Sequence, residues 1–335
     1  GFEFVDYLGD RRIFALFESV SSFQNFDVFY VDSSKRLTKS LRIYDNRDFF
    51  AAFNTVTGQV ERIQSALRLT GIAATVAYPF GVNHRVSAGL GYVYRDIDYQ
   101  QFLRDPDGNV IYDPETGSPI PIVSPRTDNY PQLEAALVGD TTVFAGYGPI
   151  AGRRFRLFGS YAPNLTGDDK DEGSTLTATY GIDFRQYLAT TRRTNFAWRL
   201  WGASSNGVAP TPLYIGGLDT LRGYEFRSLV GDRAFFSNLE WRFPLIDYLA
   251  IPGFAFQQIR GVLFLDVGGA WYSEVQSFQF WNSEENALED AVSSYGFGVS
   301  LRIFGMMMNW DFVRQWDFST SEDGWDTSFW IGRRF

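Results

Sequence analysis

The chain has 335 residues, a net charge of −9, no cysteine and a single histidine, His84. No apolar run approaches the roughly 18 residues that a transmembrane helix needs, which excludes a helical membrane protein. The acidic charge argues against nucleic-acid binding, and the lack of cysteine and histidine clusters excludes disulfides and the common zinc sites. We therefore expect no nucleic-acid partner, no metal and no cofactor.

Aromatic residues make up 18% of the chain, with 32 Phe, 18 Tyr and 9 Trp. A transmembrane β-barrel uses aromatic side chains on its lipid face and in girdles at both membrane interfaces, whereas a soluble β-sandwich uses them mainly in one core. The composition therefore favours an all-β, transmembrane, antiparallel β-barrel over a soluble sandwich.

Period-two alternation of apolar and polar residues recurs along the chain, as between Tyr295 and Ile303, where every odd position is apolar. Such segments are long enough for tilted strands to cross a bilayer. Arg95, Arg185 and Arg302 lie on the small, polar faces, which suits a hydrated interior. Fifteen segments are predicted as strands: 1–8, 10–20, 26–33, 39–48, 60–77, 85–99, 130–145, 153–162, 172–188, 194–203, 232–243, 259–271, 292–304, 306–316 and 325–335.

The connections between these strands differ in length, and long loops of bacterial barrels face outside while tight turns face the periplasm. The predicted extracellular loops are 100–129, 163–171, 204–231, 272–291 and 317–324. The predicted periplasmic connections are 78–84, 146–152, 189–193, 244–258 and 304–305.

An even strand number is the rule for single-chain bacterial barrels, so fifteen segments leave one strand to be found. A strand before Gly1 would complete sixteen, and a missed strand within 47–58 is the alternative. We expect residues 1–335 to form a single barrel domain whose first strand and periplasmic module lie upstream.

The segment 216–243 contains the most informative motif, Leu221-Arg222-Gly223-Tyr224, in a long loop. In the strand that follows, Glu240 lies on the face predicted to point inward. In the next strand Asp266 shares a face with Phe264 and Gly268. A carboxylate in the middle of an apolar strand would be costly on the lipid side, so Asp266 should face inward and bind a cation. Arg222 is a suitable partner because a guanidinium binds a carboxylate through two parallel hydrogen bonds.

Three motifs in this order resemble the bacterial surface-antigen superfamily, which includes BamA-like barrel-assembly insertases, their translocation-and-assembly relatives and two-partner-secretion transporters. They are Leu221–Tyr224, Glu240–Pro244 and Phe264–Gly268. The resemblance implies that the sixth extracellular loop folds into the barrel and that Arg222 contacts Asp266 and Glu240. Such a lock either stabilises the barrel or takes a direct part in transport.

The end of the chain, Phe329-Trp-Ile-Gly-Arg-Arg-Phe335, carries aromatic and apolar residues at alternate positions. Phe329, Ile331 and Phe335 are predicted to form the C-terminal signal by which the assembly machinery recognises barrels.

Two functions of different classes are compatible with these features. The first is a barrel in the bacterial outer membrane that inserts or exports polypeptides, with outer-membrane lipids, lipopolysaccharide, client polypeptides and periplasmic accessory proteins as partners. The second is a structural anchor or passive pore for a fused or periplasmic soluble domain. An enzyme is not expected, because the sequence contains no ordered nucleophile and base and no phosphate-binding loop.

Overall fold

The computed structural model describes residues 1–20, 23–53, 60–98, 101–102, 110, 112–113, 116–119, 121–165, 174–191, 193–251, 254–275, 277–303 and 306–335. These residues form strands and connecting segments, and no helix occurs among them. Nor, within the described ranges, is there any helix long and apolar enough to cross a membrane.

Twenty-two strands follow one another along the described chain. They are β1 (Phe2–Val5), β2 (Arg11–Val20), β3 (Phe23–Asp32), β4 (Thr38–Phe53), β5 (Val60–Pro79), β6 (His84–Ile97), β7 (Gln101–Phe102), β8 (Pro121–Val123), β9 (Arg126–Asp140), β10 (Val143–Ala145), β11 (Gly148–Pro163), β12 (Thr175–Ala189), β13 (Asn195–Asn206), β14 (Leu213–Ile215), β15 (Leu229–Gly231), β16 (Arg233–Ile251), β17 (Phe254–Trp271), β18 (Trp281–Asn282), β19 (Ala287–Leu288), β20 (Val292–Ile303), β21 (Met306–Gln315) and β22 (Asp326–Ile331).

Fifteen of these strands form one large antiparallel sheet in which each strand is hydrogen-bonded to the next member along the chain. The order is β1-β2-β3-β4-β5-β6-β9-β11-β12-β13-β16-β17-β20-β21-β22, and β10 pairs with β11 beside this path. Each of the fifteen predicted segments corresponds to one member of the sheet, so the all-β, antiparallel prediction is confirmed. Consecutive pairing of this kind is the usual outcome for antiparallel strands that follow one another along the chain.

The additional strand considered at 47–58 is not a separate element in the described residues. Residues up to Phe53 continue β4 and pair with β5, whereas 54–59 lie outside the described residues. The strand and module expected upstream of Gly1 stay predictions.

The prediction of a long connection at 244–258 is wrong. β16 runs on to Ile251 and β17 starts at Phe254, with residue pairs as far as Ile251 and Phe254. Pro244 resembles a strand end because it lacks an N–H donor, but the register shifts between Pro244 and Ile246. Such an irregularity accommodates proline without ending the strand.

The boundary near residue 145 also differs from the prediction. β9 ends at Asp140, and only Val143–Ala145 resume pairing, as β10. The Asp140 side chain accepts a hydrogen bond from the Thr142 amide at 2.9 Å, which is the geometry of an aspartate-nucleated turn. Most of the predicted turn 146–152 therefore belongs to β11, which begins at Gly148.

The long loops contain short hairpins of their own. β14 pairs with β15 in loop 204–231, β18 with β19 in loop 272–291, and β7 with β8 in loop 100–129. Of these, the β14–β15 hairpin carries the Leu221–Tyr224 motif.

The chain divides into two compact units. The first comprises 1–80, 86–135 and 160–177, and three arginine–carboxylate pairs join its neighbouring strands. These pairs are Arg42 with Asp27 (2.6 Å), Arg68 with Asp45 (2.9 Å) and Arg95 with Asp128 (2.7 Å).

The second unit comprises 81–85, 136–159 and 178–335. Its strands bury one face and expose the other: in β17 Val262, Phe264 and Asp266 are buried, whereas Leu263 between them is 46% exposed. The even-numbered positions of β17 from 262 to 266 therefore form the buried face. The apolar residues at its odd-numbered positions from 263 to 267 are exposed or half-buried.

A charge on the exposed face of β17 should destabilise the protein. We expect Leu263→Arg to lower the free energy of unfolding in phospholipid vesicles by about 2–4 kcal/mol, because a cation would then face hydrocarbon. Denaturant titration followed by tryptophan fluorescence measures this loss. Leu263→Phe is the matched control and should unfold at nearly the parental midpoint; an equal loss in both variants would contradict a lipid-facing position.

Candidate functional site

The loop between β14 and β15 is folded into a compact tip. Gly216 and Gly217 adopt positive φ angles of 119° and 93°, which glycine tolerates without a steric penalty. The Gly217 amide donates to the carbonyls of Leu221 and Tyr224, both at 3.1 Å, and the Gly216 amide donates to Thr220 Oγ1 at 2.7 Å. The loop thus forms hydrogen bonds within itself, in addition to its contacts with the strands.

Leu221 anchors the tip through apolar contact. Its side chain is fully buried and packs with Ile215, Ala234 and Phe236, which belong to β14 and β16. Burying a leucine in this way stabilises a structure by about 1.5–3 kcal/mol. Leu221 therefore fixes the position of the loop through apolar packing, and Arg222 binds the charged side chains.

Arg222 binds two carboxylates at once. Its Nε and Nη2 atoms donate to the two oxygens of Asp266 at 2.6 and 2.7 Å, and its Nη1 donates to Glu240 Oε1 at 2.7 Å. The Asp266 and Glu240 side chains are 0% and 2% exposed. The guanidinium also lies 3.7 Å above the ring centroid of Phe264, so its face is covered as well as its edges.

The backbone of the tip is held by polar side chains from the neighbouring strands. Asn238 Nδ2 donates both to the Thr220 carbonyl at 2.6 Å and to Asp266 Oδ1 at 2.9 Å. Ser294 Oγ donates to the Arg222 carbonyl at 2.6 Å, and Gln315 Nε2 donates to the Gly223 carbonyl at 2.7 Å. Four strands, β16, β17, β20 and β21, therefore contribute to one loop position.

Two loop groups have shifted pKa values that suit these contacts. Burial alone would lower the pKa of Arg222, but the charges of Asp266 and Glu240 outweigh it and raise the pKa above its usual range. Burial also raises the pKa of Tyr224 to about 12, with a further contribution from Glu322. Tyr224 is therefore protonated at neutral pH and donates its hydroxyl hydrogen to the Ser293 carbonyl at 2.9 Å.

Two glycines of the predicted site lie where a side chain would collide with a neighbour. Gly223 has a φ of 84°, and a Cβ there would lie 2.9 Å from Val313 Cγ1. A Cβ on Gly268 would lie 2.9 Å from Leu221 Cδ1 and 2.7 Å from the Phe235 carbonyl oxygen. Gly268 thus leaves room for the leucine that seats the tip.

The contacts extend beyond the residues singled out in the sequence. Arg242 Nε donates to Glu240 Oε2 at 2.8 Å, and Arg334 contacts both carboxylate oxygens of Asp311. Arg242 was considered in the sequence only as part of the Glu240–Pro244 motif, and Asp311 was not connected with Arg334. Asp311 lies in a predicted strand at a position flanked by apolar residues, which is the same signal that drew attention to Asp266.

The three residues predicted as a C-terminal signal are not alike in the structure. Phe329 and Ile331 are 51% and 54% exposed on β22. The strand ends at Ile331, before Phe335, whose carbonyl accepts a hydrogen bond from Arg242 Nη2 at 2.8 Å. The structure therefore separates Phe335 from the exposed row that Phe329 and Ile331 form.

A cavity of about 340 Å³ adjoins the loop tip. Leu218, Asp219 and Arg222 line it from the loop, and Arg333, Arg334 and Phe335 line it from the segment after β22. Across the described ranges, no group of three or more acidic or histidine side chains is arranged to hold a metal ion. The contacts between the loop and the strands are ion pairs and hydrogen bonds.

The model of the Omp85 superfamily domain matches residues 21–306 of the chain. The chain belongs to the Omp85 superfamily. The resemblance inferred from the three motifs is thereby confirmed, and both the loop and its two carboxylates lie within the matched residues. Membership places this Omp85 chain in the bacterial outer membrane.

A solved structure of BamA shows the same fold, and two solved structures of CdiB match with lower scores. BamA from Haemophilus ducreyi lacking POTRA domains 1–3 is 14% identical, and the match covers 98% of this chain and 65% of that one with a TM-score of 0.66. CdiB from Acinetobacter baumannii is 13% identical over 92% of this chain and 49% of that one, with a TM-score of 0.47. CdiB from Escherichia coli is 13% identical over 98% of this chain and 57% of that one, also with a TM-score of 0.47. This Omp85 chain thus spans less than two thirds of the length of each of these proteins, and no curated protein sequence matches it.

Removing one charge from the Arg222 cluster should destabilise the folded protein. We expect Asp266→Asn to lower the free energy of unfolding by about 3–5 kcal/mol, because it leaves the buried guanidinium without its two-point partner. Denaturant unfolding in detergent micelles measures the change. Asp219→Asn, at an exposed position of the same loop, is the control and should change the stability by less than about 0.5 kcal/mol. Equal losses in the two variants would contradict a stabilising contact between Asp266 and Arg222.

The close approach at Gly223 provides a second test with a matched control. Gly223 and Gly324 both have positive φ, but a Cβ on Gly324 would have no neighbour within 4 Å. Both alanine variants incur the backbone penalty of roughly 1–2 kcal/mol. We expect Gly223→Ala to lose about 1–3 kcal/mol more than Gly324→Ala in the same unfolding assay, because Val313 must move. Indistinguishable losses would contradict the tight packing of the tip.

Proposed function

We propose that this chain is an outer-membrane barrel that handles other polypeptides, either inserting them into the membrane or exporting them across it. The observation that carries the proposal is the seating of the Leu221–Tyr224 tip on Glu240 and Asp266 in a chain of the Omp85 superfamily. Family membership and the BamA fold support a role in protein insertion or secretion.

The loop contacts support a positional role for the loop rather than simple stabilisation. A buried ion pair is seldom more stabilising than apolar residues of similar volume, since both charges lose their hydration. Such a pair provides geometric specificity, because the planar guanidinium donates two parallel hydrogen bonds to a carboxylate. The tip is accordingly tied to one position by charges from β16 and β17 and by backbone hydrogen bonds from β20 and β21. A loop held in this position would line the path along which a client polypeptide is inserted or exported.

The proposal names partners by their chemistry. The exposed apolar side chains of the sheet would contact membrane lipids, including lipopolysaccharide, and the client would be an unfolded polypeptide delivered with the help of periplasmic accessory proteins. No bond is made or broken in such a process, so the chain would not act as an enzyme.

Reconstitution tests the proposal directly. The chain is placed in phospholipid vesicles, a urea-unfolded eight-stranded outer-membrane barrel is added, and folding is followed by the heat-resistant gel band of the probe. We expect the probe to fold at least about tenfold faster than in empty vesicles, which corresponds to about 1.4 kcal/mol of the folding barrier. Release of a secretion probe into the vesicle lumen, scored by protease protection, reports the export alternative.

The variant Arg222→Gln distinguishes polypeptide handling from a role as a passive pore or anchor. We expect this variant to have a lower free energy of unfolding but to remain folded in vesicles. It should lose most of the acceleration or export, because the loop is no longer positioned. Vesicles that conduct ions steadily but neither fold nor export a probe would contradict the proposal and support a passive pore or anchor.

A further inference from the structure

The segment that follows β22, Gly332–Phe335, remains bonded to β21 at Gly332 and leaves the strand ladder beyond it. β22 ends at Ile331, and the Gly332 amide donates to the Met307 carbonyl at 2.9 Å. Asn309 Nδ2 donates to the Gly332 carbonyl at 2.9 Å, so both backbone groups of this glycine are bound to β21. The segment is therefore held in place from its first residue.

Arg334 is fixed in the interior by an ion pair. Its guanidinium contacts both oxygens of Asp311, a residue of β21 whose side chain is 0% exposed, and its own side chain is 8% exposed. Arg334 Nε also donates to Ser300 Oγ at 3.3 Å. Trp330 Nε1 donates to Asp311 Oδ2 at 2.9 Å and thereby orients the same carboxylate.

Phe335 is held by a different arginine. Arg242 Nη2 donates to the Phe335 carbonyl at 2.8 Å, and the Arg242 guanidinium lies 5.0 Å from the centroid of the Phe335 ring. The Nε of the same Arg242 donates to Glu240 at 2.8 Å. The segment and the loop tip consequently meet on one carboxylate.

Glu240 contacts both the loop and the segment, and its two oxygens have different partners. Oε1 accepts from Arg222 of the loop at 2.7 Å and lies 3.8 Å from Arg334 Nη1, whereas Oε2 accepts from Arg242. Around it, three arginines (222, 242 and 334) face three carboxylates (240, 266 and 311). Loss of any one of these carboxylates leaves the arginine that it binds without that partner.

We propose that Gly332–Phe335 is a second latch in the interior, fastened by Asp311 and coupled to the loop through Glu240. This inference goes beyond polypeptide handling and does not depend on it. Asp266 then holds the loop alone, Asp311 holds the segment alone, and Glu240 holds both. Three changes of a carboxylate to its amide therefore distinguish the three roles.

Spin labels can report the two elements separately, since the chain contains no native cysteine. One pair of labels at Arg333→Cys and Leu188→Cys follows the segment, and a second pair at Glu225→Cys and Leu188→Cys follows the loop. All three positions are exposed, so the labels disturb no buried contact. The measured quantity is the fraction of the distance distribution that lies outside the parental peak.

We expect Asp311→Asn to raise the displaced fraction of the segment at least about tenfold and to leave the loop at its parental distance, because a buried arginine loses its partner. Asp266→Asn should displace the loop only, and Glu240→Gln should displace both. Asp323→Asn, at an exposed position, is the matched control and should displace neither.

Three results would overturn the proposal. They are a segment that stays in place in Asp311→Asn, a loop that alone responds to Glu240→Gln, and a segment that moves as far in Asp266→Asn as in Asp311→Asn. If Asp311→Asn does not fold, Arg334→Gln breaks the same ion pair from the other side and carries the same expectation. Because none of these measurements uses a client, their outcome is separate from that of the vesicle assay.

Discussion

The structure of the second unit depends on the pairing of buried carboxylates with arginine side chains. Asp266 and Glu240 point to the covered face of adjacent strands, where an unpaired carboxylate would lose several kcal/mol of hydration. No residue of β16 or β17 supplies the cation that Asp266 contacts; Arg222 does, from a loop that must fold back to reach it. Leucine before the arginine and glycine after it make that approach possible, one by filling an apolar pocket and the other by allowing the chain to turn. The Leu221–Tyr224 motif thus supplies the cation that the buried carboxylate of Asp266 requires.

The strands were predictable because their signal is local and repeated. Alternation predicts which residues share a face, and in a sheet of consecutive hairpins the neighbours in sequence are the neighbours in space. The ends of strands were less predictable. Pro244 has the appearance of a strand end, yet a register shift lets β16 pass it, and Asp140 ends β9 by a turn that alternation does not reveal.

The site was predictable to the extent that its partners lie in a recognisable order along the chain. Asp266 is conspicuous because it is a charge among apolar residues, and Arg222 because it follows a pair of glycines in a long loop. Arg334 offered no such signal, since a basic residue near the end of the predicted last strand, 325–335, is compatible with a solvated or membrane-interface position. Only the bend at Gly332 and the burial of Asp311 show where it goes.

The contacts of the loop tip span long stretches of sequence. Ser294 and Arg222 are separated by 72 positions, and Gln315 and Gly223 by 92. Contacts of such separation form late, because the intervening chain must first lose its conformational freedom in strands of its own. The loop can therefore settle only on a sheet that already includes β20 and β21. Protection of its backbone amides from hydrogen exchange would therefore report that β20 and β21 are already in place.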